Sequence, residues 1–99
     1  MAIIQPILID RLINYLDELV FRGKVKLNGQ FVTYDIFKTV RDGNKLRKYI
    51  YLTTEIGLVE EAQLLSNSGD VLAIKPFSIE KSDDGLILAF EFTITVQEG

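Results

Sequence analysis

The alternation from Leu86 to Val96 is the tightest constraint this chain places on its own fold. Leu86, Leu88, Phe90, Phe92, Ile94 and Val96 fall on one parity, and Ile87, Ala89, Glu91, Thr93 and Thr95 on the other. Side chains alternate faces along a strand, so this register lays six large apolar groups against a core and a smaller, more polar row on the opposite face. A helix would scatter the same residues around its axis. Asp83-Asp84-Gly85 supplies a turn immediately before the strand.

The rest of the chain must provide what this strand packs against. With 99 residues, 47% of them hydrophobic and 25% charged, one domain on a single core is expected, residues 1–99, without room for a second. Its first part, 1–22, reads as helical and 23–99 as antiparallel β. From Ile7 the apolar positions Leu8, Ile9, Leu12, Ile13, Leu16, Leu19 and Val20 recur at helical spacing, with Asp10, Asn14, Asp17 and Glu18 towards the other side. Pro6 suits the first turn of such a helix, Arg22 its negative pole and Gly23 the position just past its end. The spacing therefore predicts a helix over 6–21. Its apolar stripe is wider than a small sheet can cover, so Ile7, Leu8, Tyr15 and Leu19 are expected to meet another chain. Leu12 and Leu16 are assigned to the intramolecular side.

After Gly23 the period changes to two. Asn28-Gly29 is the strongest short hairpin signal available, between strands expected at 24–27 and 30–40. Asp42-Gly43-Asn44 turns the chain into a strand at 45–53, where Leu46, Ile50 and Leu52 alternate with Lys45, Arg47, Tyr49 and Tyr51. Residues 58–65 fit a strand or a short helix, with strand favoured, Leu58, Ala62 and Leu64 opposing Val59, Glu61, Gln63 and Leu65. Ser66 to Asp70 forms a loop before a last-but-one strand at 71–79, with Val71, Ala73, Phe77 and Ile79 on one parity and Pro76 near an edge or bulge. The expected fold class is α+β, mainly β: an N-terminal amphipathic helix followed by an antiparallel sheet or sandwich of about six strands.

The chemistry available to this chain is narrow. It has no His and no Cys, which removes the commonest general base, the usual metal ligands, any disulfide and the base of the usual triads. Catalytic, cofactor-binding and metal-ligating residues are therefore not expected, and an enzyme is not the reading. Of the carboxylate pairs, Asp17-Glu18 reads as helix surface, Glu60-Glu61 as a solvated strand whose neighbours point to opposite faces, and Asp83-Asp84 as a turn. The Asp- and Asn-containing turns lack the ordered ligand series that calcium loops need. The charges within 2–21 argue against a membrane-spanning segment, and no basic start, uninterrupted apolar run and small-residue cleavage site marks a secretory signal. The mature chain is expected to begin at or near Met1.

One patch invites a partner. Lys38, Arg41, Lys45, Arg47 and Lys48 crowd one expected hairpin beside Tyr49 and Tyr51, and Lys45, Arg47, Tyr49 and Tyr51 share a face, the geometry that stacking on bases and tracking phosphates requires. The formal charge of −3 opposes nucleic acid as the default ligand, and such residues also decorate the wet face of ordinary antiparallel sheets. No glycine-rich phosphate fingerprint is present, so a nucleotide site is not indicated, and no small-molecule substrate is evident.

The succession "KVKLNGQF", "YIYLTTEIG", "SNSGDVLAI" and "LILAFEFTITVQEG", spread over residues 24–99, resembles small structural proteins of the tail and baseplate region of bacteriophages and prophages of Gram-positive bacteria. The resemblance implies a non-enzymatic component of a symmetric particle, with copies of itself or other tail-structure proteins as partners. It also implies assembly in the bacterial cytoplasm and a final place in the virion. The alternative from the residues alone is a small module that binds nucleic acid or another anionic partner through Lys45, Arg47, Tyr49 and Tyr51.

Overall fold

A computed structural model describes residues 3–97. Helix α1 (Pro6–Leu19) is followed by β1 (Arg22–Leu27), β2 (Gln30–Asp35), β3 (Lys38–Asp42), β4 (Lys45–Leu52), β5 (Gly57–Leu65), β6 (Val71–Lys81) and β7 (Leu86–Thr93). The fold is mainly β, as the alternations predict. Every strand pairing is antiparallel, in two sheets ordered β2-β1-β5-β6 and β3-β4-β7. Val25, Val59, Ala62 and Leu64 of the first sheet share a core with Ile50, Leu52, Leu88 and Phe90 of the second, so the two pack face to face.

Seven strands replace the expected six because 30–40 is two strands. Val32 and Tyr34 lie on the face that β1 turns inward with Val25, whereas in β3 the inward parity belongs to Thr39 and Arg41, which pair with Lys48 and Leu46. The parity switches at Ile36-Phe37, where the chain leaves one sheet and enters the other. That is why both faces of 30–40 read as partly apolar. Residues 58–65 form strand β5, and its own alternation breaks at Glu60. There β5 carries one extra residue against β1, a bulge that lets Val59 and Ala62 both point into the core, three positions apart.

Several boundaries also differ from expectation, β6 running on to Lys81 among them. The helix stops at Leu19, and Val20 is already extended at φ −79° and ψ 103°. Gly23 does not cap it; it lies buried inside β1, where an added Cβ would stand 2.8 Å from Ile50 Cγ1 and closer still to Cδ1. Close approach of the two sheets, not a helix stop, is what requires glycine at that point. At the other end β7 finishes at Thr93, and Ile94 continues as a single backbone tie, its N–H donating to the Asn44 carbonyl at 2.9 Å. The Asn28-Gly29 turn takes the expected form, with both residues at positive φ, 52° and 78°. The Asn28 side chain then bridges to Ile56 O and Leu58 N at 3.1 and 2.9 Å, fixing the start of β5.

The core is divided. Along the inward face of β4, Ile50 and Leu52 belong to the main cluster, whereas Leu46 is buried outside it, as is Ile13 of α1. Between them sits Lys48, only 3% exposed. Sheet covers one end of the β4 inner face, and helix covers the other. The molecule is accordingly long, 53 × 25 × 21 Å.

Candidate functional site

What α1 touches decides what it leaves open. Arg41 donates from Nη1 to Asn14 Oδ1 at 2.5 Å and from Nη2 to Asp10 Oδ1 at 3.0 Å. Lys48 Nζ donates to the Asp17 carboxylate, to the Asp17 carbonyl at 3.3 Å and to Thr39 Oγ1 at 3.0 Å, which uses all three of its protons. A buried ammonium is tolerable only when paired and hydrogen-bonded in this way. Asp17 is thus half-buried and structural, not the surface residue expected of an exposed helix face. Asp10 and Asn14 meet Arg41 while Asp17 meets Lys48, so α1 runs alongside the β3–β4 hairpin with its polar flank turned towards it.

Ile13, fully buried, carries the centre of the inward face, with Ile9, Leu16 and Val20 one and two turns away. Leu16 packs on the core as assigned. Leu12 does not: it is 38% exposed and stands on the flank away from Arg41. With Leu8, Tyr15 and Leu19 it forms a stripe at spacings of four, three and four, the arrangement that keeps side chains on one side of a helix. Tyr15, at 66%, is its most exposed member, and Leu19 is half-buried. Ile7 is exposed but lies on the opposite flank, where it lines an open groove of about 570 Å³ with Pro6, Ile9, Asp10, Gly43 and Asn44. The structure therefore brings Leu8, Tyr15 and Leu19 together, separates Ile7 from them and adds Leu12. The 4-3-4 spacing was present in the sequence, but nothing there says which part of a broad apolar arc the sheet will cover.

The basic and aromatic hairpin is split between two faces. Lys45, Arg47, Tyr49 and Tyr51 lie together on the outer face of the second sheet, joined by Lys38. Phe37 stands 5.0 Å from Tyr51, ring centre to ring centre. Arg47 is engaged by Glu91, its cross-strand neighbour, at 3.3 Å. Arg41 and Lys48 face inward, held by the helix. Lys48 shares parity with Leu46, Ile50 and Leu52, so the alternation itself pointed it into the core; the expectation that a lysine stays in water concealed this. A second group of cations that the sequence reading passed over lies on the outer face of β1, where Lys24 and Lys26 stand 4.8 and 6.0 Å from the Phe31 ring centre. Those cations already cover the ring that a ligand would stack on, and Lys26 also pairs with Glu60 at 3.5 Å.

Elsewhere the polar chemistry is structural. Lys81, buried, donates to the carbonyls of Thr53 and Ser82 at 2.8 Å each and to that of Glu55. Among the described residues no group of three or more acidic side chains is placed to hold a metal ion, and no helix is long and apolar enough to cross a membrane. No family model, curated protein or solved structure matches this chain.

Proposed function

We propose that this protein is a non-enzymatic structural module that works by self-association, as a component of the tail or baseplate region of a bacteriophage or prophage. The observation that carries the reading is the stripe of exposed Leu8, Leu12 and Tyr15 with half-buried Leu19 at its end, beside the buried stripe of the same helix. A helix in a monomer this small normally turns its large side chains to the core, and contiguous apolar surface elsewhere marks an interface. In a closed symmetric assembly the same patch recurs on every subunit, so a modest stripe becomes a mutually buried one. The absence of His and Cys from the sequence agrees with a role without catalysis. The resemblance of 24–99 to small tail and baseplate proteins supports the particle in which it would act.

The test is mass in solution. Sedimentation of the parent chain is expected to show a stable oligomer, and Leu12→Glu with Tyr15→Glu is expected to release monomer with an unchanged circular dichroism spectrum. A parent chain that stays monomeric at high concentration would overturn the reading. One observation favours a second reading: Lys45, Arg47, Tyr49 and Tyr51 do share an exposed face. Salt-dependent binding of single-stranded oligonucleotides, lost in Tyr49→Ala with Tyr51→Ala, would support an anionic-partner module instead.

A further inference from the structure

The stripe on α1 specifies how a second copy would sit on it. Leu8, Leu12, Tyr15 and Leu19 follow the alternating spacing of three and four that places knobs along the seam of a two-helix coil. On one side of the seam lie Ile9 and Leu16, turned towards the body of the molecule. On the other lie Arg11 and Glu18, both exposed, and neither has an ion-pair partner among the described residues. Seven positions apart, they stand two turns from each other along the helix, too far to pair within one chain.

We infer that α1 pairs antiparallel with α1 of a second copy about a twofold axis, with Leu8 against Leu19 and Leu12 against Tyr15. The inference rests on the self-association reading and names its partner and geometry. In this register the axis passes between Ile13 and Asn14, midway along the stripe, so each of the four apolar residues meets one of the other three. The same operation sets Arg11 across from Glu18 of the second copy, and Glu18 across from its Arg11. Both free charges thus find a counter-ion at the water-exposed rim of the seam. A parallel pairing instead sets this charged flank against the other copy's Ile9 and Leu16 and leaves both charges without a partner. Charge complementarity therefore selects the antiparallel arrangement.

Sedimentation velocity and cysteine cross-linking test it, with circular dichroism to confirm that each variant is folded. Arg11→Glu and Glu18→Arg are each expected to weaken association roughly tenfold, since each turns two attractions into two repulsions. The double variant R11E/E18R is expected to recover association, and an equimolar mixture of the two single variants to form a heterodimer. The chain has no native Cys, so introduced thiols report geometry cleanly. Leu8→Cys alone is expected not to cross-link, because the two copies of position 8 lie about 16 Å apart along the helix axis. The double variant L8C/L19C is expected to yield a covalent dimer.

The outcomes separate the two claims. If Leu12→Glu dissociates the parent oligomer while Arg11→Glu is silent, or Leu8→Cys cross-links by itself, the antiparallel register falls and self-association through α1 stands. If the parent chain is monomeric, or an oligomer indifferent to Leu12→Glu, self-association through α1 falls with it.

Discussion

Among the described residues, Tyr34 and Glu55 form a hydrogen-bonded pair in which each shifts the other's ionisation. Tyr34 donates to Glu55 Oε2 at 2.7 Å, and Thr53 Oγ1 and the Thr54 N–H donate to Oε1 at 2.9 and 3.1 Å. Burial, then the hydrogen bond to Glu55 and its charge, push the Tyr34 phenol well above its ordinary 10.0, while the hydrogen bond from Tyr34 holds the Glu55 carboxyl below its ordinary 4.5. A carboxyl held low stabilises the fold above its ordinary value, and that contribution is lost as pH falls through the folded value. A phenol held high stabilises below its ordinary value, and loses this as pH rises through the folded one. Tyr34→Phe is therefore expected to lower the urea midpoint near neutrality, with a gap to the parent that narrows below about pH 4.5 and above about pH 10. A gap that is flat on both limbs counts against the pair. Lys48 makes a different demand. Asp17→Ala leaves a buried ammonium short of its carboxylate and is expected to cost about 1–3 kcal/mol in a denaturant titration. Adding Lys48→Met removes the need for that carboxylate, so the double variant is expected to be more stable than Asp17→Ala alone.

At Gly23 two strands from different sheets approach too closely for any larger residue. Gly23→Ala is expected to destabilise by about 1–3 kcal/mol through overpacking against Ile50. Ile50→Val removes the Cδ1 methyl that a new Cβ would strike, so a double-mutant cycle is expected to show the pair less costly than the sum of the single changes. Additive costs would place the strain elsewhere. The same glycine shows where the sequence could and could not be read. Its position after an amphipathic run matches a helix stop, and only the second sheet, distant in sequence, makes it a packing residue. The hairpin at Asn28-Gly29 and the alternation of Leu86 to Thr93 were legible because both are decided by neighbours within a few positions. The split of 30–40 was not, since each half satisfies the same period of two and differs only in the sheet that it joins. Likewise the helix was plain from its spacing, whereas the exchange of Leu12 for Ile13 as the buried residue depends on which flank Arg41 and Lys48 hold.

The whole chain has a radius of gyration of 15.7 Å, against about 13 Å for a compact domain of this length. Leu46, at one end of the inner face of β4, lies outside the core that the two sheets share, and α1 lies over that end, a division into one larger and one smaller core that no local pattern in the sequence announces. Lys48 is the boundary between them, and an ammonium with its polar partners transmits cooperativity less well than packed methyl groups. Opening need not then be all-or-none. Native-state hydrogen exchange is expected to show two tiers, with the amides of α1 and the β3–β4 end around Leu46 exchanging through a partial opening and those of β1, β5 and the Ile50–Leu52 end of β4 only through global unfolding. Asp17→Ala should speed the first tier and leave the second almost unchanged; a uniform response would show a single cooperative unit. A helix that can lift away while the sandwich persists gives the protein a detachable arm, joined to β1 through Val20 and Phe21 alone. In a concentrated population of identical chains such an arm could settle on a neighbour's vacated sheet as readily as on its own, so exchange of α1 between subunits is the characteristic misassembly to which this architecture is open.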